Sequence, residues 1–123
     1  MEFPAIENKK IATYFNKVEI IQATANQIMK DMAMFGIEIK YTGNMATAYK
    51  ELHDQLTRQI DILIDNSYSK LISILYRIDV SEKDLAQAKV DMEGYKHGEV
   101  IAHQIIVREL KKVLTRMYYK QYY

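Results

Sequence analysis

Cysteine is absent, which excludes disulfides, thiolate metal sites and a cysteine nucleophile. Tryptophan is absent too, and the 123 residues hold a single proline, Pro4, and four glycines in two short clusters. Proline is the strongest helix breaker, and glycine costs about 1 kcal/mol against alanine inside a helix. Asn44 to Glu93 and Glu99 to the C-terminus contain neither. No apolar run approaches the roughly 18 residues of a membrane span. The N-terminus lacks the basic and apolar regions of a signal peptide. A net charge of +1 argues against a general polyanion binder, and 49% hydrophobic with 27% charged residues is the balance of a folded domain. These features point to one domain in the cytoplasm, with no membrane contact.

The chain that remains reads as all-α: an antiparallel bundle of three long arms, the third broken, giving four helices in one domain over residues 1–123. The first helix is expected from about Glu7 to Phe35, on Ile11, Tyr14/Phe15, Val18, Ile21, Ala25, Ile28, Met32 and Phe35. Gly36 stops it. In residues 36–44, Ile37, Ile39 and Tyr41 alternate with Glu38 and Lys40. With no strand to pair with, that segment reads as a loop folding its apolar side over the bundle end.

Asn44 is a suitable cap for the second helix, whose stripe runs Met45, Tyr49, Leu52, Leu56, Ile60, Leu63, Ser67, Leu71, Ile74 and Ile78. That spacing repeats every eleven residues and barely drifts on a straight helix. Asp65-Asn66-Ser67 is its weak spot, because these residues favour caps and turns. The stripe passes through in phase, so a continuous helix of roughly 50 Å is expected. Ser81 caps a short third helix, about Glu82 to Met92, with Glu82 and Asp84 in its first turn. Gly94 to Gly98 is the break, and the last helix is expected from about Glu99 to Tyr119 on Ala102, Ile106, Leu110, Val113 and Met117.

The strings L-Y-R-I-D-V-S-E (Leu75 to Glu82) and R-E-L-K-K-V-L-T-R (Arg108 to Arg116) resemble a family of small, uncharacterised all-helical bacterial proteins. The resemblance implies a bacterial, cytoplasmic helical protein and attaches no activity.

Enzyme signatures are missing: the serines lie in no nucleophile-elbow setting, and the glycines form no phosphate loop or dinucleotide fingerprint. His103 falls near the apolar side of the last helix, four residues after Glu99. A metal there would need His97, or His53, Glu51 or Asp54 from the long helix. The pattern lacks the H-E-x-x-H and carboxylate-bridged dimetal arrangements, so a structural histidine is expected. No catalytic residue, metal or cofactor is expected.

Asp54, Arg58, Asp61, Asp65, Tyr68, Ile72, Tyr76 and Asp79 share the opposite face of the long helix. Arg58 is placed to pair with Asp54 and Asp61. Apolar Ile62, Ile64, Ile72 and Leu75 flank that face, and apolar surface that a small bundle leaves uncovered usually means a partner. The C-terminus, Arg116-Met-Tyr-Tyr-Lys-Gln-Tyr-Tyr123, joins basic and aromatic residues suited to protein contact. The expectation is a non-enzymatic interaction or scaffolding protein, a homodimer or bound to a protein partner. Ile64, Ile72, Leu75, Tyr76, Tyr118 and Tyr122 would carry that contact. The alternative is a nucleic-acid face of Arg108, Lys111, Lys112, Arg116 and Lys120, the five basic residues that stand against one acid after Val100.

Overall fold

A computed structural model describes residues 17–122, without the side chains of Gln121 and Tyr122. The first part of the expected Glu7-to-Phe35 helix, residues 7–16 with Ile11, Tyr14 and Phe15, lies outside the described residues. Those described form five α-helices: α1 (Lys17–Ala33), α2 (Ala48–Asn66), α3 (Tyr68–Ile78), α4 (Glu82–Asp91) and α5 (His97–Tyr122). A single 3-10 turn, Met45–Thr47, precedes α2. There is no strand among the described residues.

The expected continuous second helix is corrected: it breaks at Ser67, which makes five helices instead of four. Ser67 adopts φ −157° and ψ 70°, while its N–H still bonds to Leu63 C=O at 2.9 Å. Asn66 and Ser67 favour local hydrogen bonding over helix interiors, and that preference wins over the unbroken apolar pattern. The stripe nevertheless stays in phase, because Leu63, Leu71, Ile74 and Ile78 are all buried. Met45 is the stripe residue that fails; it sits exposed in the 3-10 turn.

The caps follow the sequence at Ser81 and Gly36. Asn44, expected to cap the second helix, caps the 3-10 turn instead, and the N-cap of α2 is Thr47 with no side-chain cap hydrogen bond. The N–H of Ala46 bonds to Asn44 Oδ1 at 3.0 Å. Ser81 Oγ accepts from the Asp84 N–H at 3.1 Å, and Asp84 reaches back to the Ser81 N–H, a reciprocal capping box. Gly36 takes φ +75°, which lets the Ile37 N–H return to Met32 C=O at 3.1 Å and closes α1. The loop beyond it buries Ile37 and Ile39 and leaves Glu38 and Lys40 exposed, as the alternation requires.

Helix α5 is the centre of the packing. It makes its most extensive contacts with α2 and α1, and smaller ones with α4 and α3. It runs antiparallel to α2. Tyr49 early in α2 meets His103, while His53 one turn later meets Glu99. Against α1, Ile20 clusters with Leu110 and Leu114, and Asp31 lies beside Lys112 and Glu109 on the same stretch of α5. Gly98, expected only as part of a break, permits a close approach: a Cβ there would overlap the carboxylate of Asp61 on α2. Val18, expected on the core stripe of α1, is exposed, and Ile20 is buried in its place.

Candidate functional site

Two regions of the described molecule depart from an ordinary apolar interior under a polar surface. In the first, carboxyl groups are buried between α1 and α5. Asp31 is 2% exposed and Glu109 is fully buried. Gln27 Nε2 donates to Asp31 Oδ1 at 3.1 Å, and Arg116 donates to Gln27 Oε1 at 2.9 Å. The Lys112 ammonium stands 2.6 Å from Glu109 Oε1 and 4.0 Å from Asp31 Oδ2, and Arg77 of α3 lies 3.9 Å from Asp31 Oδ1.

Ionised, Glu109 would have no well-aligned hydrogen-bond donor at either oxygen, since the Lys112 contact is close but ionic rather than directional. Protonated, it can donate to Asp31. Burial, then the hydrogen bond to Asp31, push the Glu109 carboxyl up to about 8 against the opposing pull of Lys112. Burial also pushes Asp31 upward. The hydrogen bonds from Glu109 and Gln27 and the charges of Lys112 and Arg77 outweigh it and hold Asp31 below the usual carboxylate range. These influences favour the proton on Glu109 and the negative charge on Asp31.

Beside it, between α2 and α5, lies a histidine–tyrosine cluster. Tyr49 Oη lies 2.6 Å from His103 Nδ1, its ring stacks on His53 at 5.2 Å, and His53 Nε2 lies 3.1 Å from Glu99 C=O. Burial, followed by the nearby Tyr95 and Glu99, pushes the Tyr49 phenol up to about 12. Burial and the neighbouring His53 lower His103, which favours its neutral ring in the hydrogen bond shared with the Tyr49 phenol. Glu99 thus meets His53 through its backbone C=O, and His103 meets the Tyr49 phenol. No group of three or more His, Cys, Asp or Glu side chains suited to a metal ion occurs among the described residues.

The second departure is a groove of about 540 Å³ between α3, α4 and the start of α5. Ile72 and Tyr76 line one wall and are 48% and 87% exposed; Leu75, 5% exposed, lies deeper with Leu71 and Ile101. Leu85 and Ala86 of α4 form the other wall.

Three of the residues expected to carry a contact thus fall together: Ile72, Tyr76 and, beneath them, Leu75, which belongs mainly to the core. The other three do not. Ile64 packs half-buried on the main core and does not line the groove. Tyr118 packs on Ile20, Leu110 and Leu114 at the far end of α5. The Tyr122 side chain lies outside the described residues.

Of the five basic residues, three are engaged within the fold. Arg108 donates to the Asp79 carboxylate at 2.9 Å and to its C=O at 3.1 Å. Lys112 and Arg116 belong to the Asp31 cluster. Lys111 and Lys120 stand exposed. The expected pairing of Asp54 with Arg58 gives way to Lys50, whose Nζ lies 2.7 Å from Asp54 Oδ2.

Sequence reasoning missed the buried acids, although a signal was present. Glu109 falls in step with Ile105 and Val113, four residues to either side, and both are fully buried. Asp31 falls three residues after Ile28 and four before Phe35 on the stripe of α1.

No protein-family model matches the chain, and no solved structure matches it. A poly(ADP-ribose) polymerase of Drosophila melanogaster is 30% identical over 94 residues, covering 72% of this chain and 9% of that protein. The chain therefore spans less than a tenth of that relative's length. No helix among the described residues is long and apolar enough to cross a membrane.

Proposed function

We propose that this chain is a non-enzymatic interaction or scaffolding bundle that associates with a second copy of itself through the groove between α3 and α4. The observation that carries this reading is the pairing of Ile72 and Tyr76, one turn apart on α3, both exposed at the lip of an apolar groove. Isolated exposed apolar residues are ordinary, but a lip and floor built from Ile72, Tyr76, Leu71, Leu75, Leu85 and Ile101 form one contiguous surface. Tyrosine at such a lip supplies a large apolar contact with a polar tip. The two conspicuous polar clusters support the same reading from the other side. Each is knitted between helices inside the bundle, and the hydrogen bonds and ion contacts that tie them are internal ones. The similar segment of the polymerase covers too little of that protein to bring its activity here.

The test is Ile72→Lys with Tyr76→Lys. The groove reading expects the variant to fold, because both side chains are exposed, and to lose its association. A variant whose mass in solution and solubility equal those of the wild type would sink it.

A further inference from the structure

The groove's charged side chains point to how the second copy is seated. Glu82, Leu85, Ala86 and Lys89 all line the groove, so they form one face of α4 with steps of three, one and three. Glu82 and Lys89 are its acidic and basic members, one at each end of that face and both exposed, with Leu85 and Ala86 between them. His97, which also lines the groove, lies near Lys89; burial and then the Lys89 charge hold its pKa below the ordinary value, so at pH 7 it adds no charge.

A closed dimer needs a self-complementary patch, in which residue i meets j of the partner and j meets i. A two-fold axis between Leu85 and Ala86 is equidistant along α4 from Glu82 and Lys89. It brings each glutamate opposite the other chain's lysine. Parallel packing of the two helices would set glutamate on glutamate and lysine on lysine. The small side chain of Ala86 lets the two α4 backbones come close, and Tyr76 and Ile72 flank the contact from α3.

We infer that two copies pair α4 against α4 in antiparallel fashion, Glu82 of each chain facing Lys89 of the other. The inference rests on the self-association proposed above and adds its geometry.

Charge reversal tests it. Glu82→Lys and Lys89→Glu, each alone, place like charges opposite each other twice per dimer, and each should raise the dimer dissociation constant at least ten-fold at low salt. Mixed in equal amounts, the two single variants should associate with each other as tightly as the wild type, because every reversed charge then meets its opposite. The combined Glu82→Lys/Lys89→Glu chain should dimerise by itself. Rescue on mixing cannot come from a misfolded variant, and circular dichroism of each variant checks the fold independently.

Wild-type-like dimerisation of both single variants would overturn the antiparallel seating. So would a mixture that stays monomeric. If that happens while Ile72→Lys/Tyr76→Lys still abolishes assembly, the groove reading stands and only its geometry falls. A wild-type chain that is monomeric throughout would overturn both.

Discussion

The two ends of α5 invert the usual distribution of side chains in opposite ways. Toward its C-terminal half, Glu109 is buried with Asp31 in a place that apolar residues would normally fill. Near its N-terminus, His97 and Ile101 border a groove where apolar Ile72 and Tyr76 face solvent. A buried acid and an exposed apolar patch are both informative because each is unfavourable unless something else compensates. At the Asp31 end the compensating partners lie within the chain: Glu109, Gln27, Lys112 and Arg77. At the groove end no element of the described fold covers the lip, and a second copy would. One region ties its polar groups together within the chain; the other leaves apolar side chains open to solvent.

The sharpest way to break this contrast is to remove the buried acid. Asp31→Ala takes the acceptor from Glu109 and the counter-charge from Lys112 and Arg77, and should destabilise the fold by about 3 kcal/mol in urea unfolding. A loss within about 0.5 kcal/mol, the usual range for surface changes, would show that the cluster is not holding α1 to α5.

The next effect is on pH dependence. The folded pKa of Glu109, about 8, lies above its ordinary 4.5, so the unfolded chain releases this proton first as pH rises. The native state then holds more protons than the unfolded one. Stability attributable to Glu109 is full below about pH 4.5, and declines from there to about pH 8 by at most ~1.4 kcal/mol per pH unit. Asp31, lowered in the fold, acts in the opposite sense and loses its stabilising contribution only as acid is added below the ordinary carboxylate range. Glu109→Gln keeps a donor for Asp31 and removes the titration, so its melting temperature should decline less between pH 5 and 8 than that of the wild type. Parallel pH profiles for the two proteins would contradict a proton held on Glu109.

A smaller effect belongs to the groove. Helix α4 buries Ala88 fully and Leu85 in part, and its first turn depends on the Ser81–Asp84 box. Ser81→Ala should cost about 1 kcal/mol by loss of the cap, and should weaken association as the groove wall frays. Chemical denaturation and a concentration series on the same variant would separate the two. Smallest of all, Arg116→Ala removes a hydrogen bond at an exposed position and should change stability by less than about 1 kcal/mol.

Much of the fold was legible in the sequence because the apolar spacing survives local irregularity. Leu52, Leu56, Ile60, Leu71, Ile74 and Ile78 are buried as the eleven-residue repeat requires, even though the helix that carries them breaks. The break itself was legible as a local preference at Asn66 and Ser67. Pattern and propensity disagreed there, and only packing could decide between them. The groove was half legible: Ile72 and Tyr76 stood out as apolar residues beyond the stripe, but which helix would leave them uncovered is a tertiary question. Leu75 shows the limit, since a shift of one position round α3 takes it from the lip into the interior. The Asp31–Glu109 pair was least legible. Charged residues are read as solvent-facing by default, and their partners lie on α1 and α5, far apart in sequence. Asp79 adds a backbone case. It holds φ +70° at the end of α3, a left-handed position that aspartate tolerates, and Arg108 ties it in place from 29 residues away.

Light scattering during gel filtration, on wild type and Ile72→Lys/Tyr76→Lys side by side over a range of concentrations, tests self-association most directly. The wild type should elute at twice the 14.4 kDa chain mass and the variant at that mass alone. A wild-type chain that stays at 14.4 kDa at every concentration would contradict it.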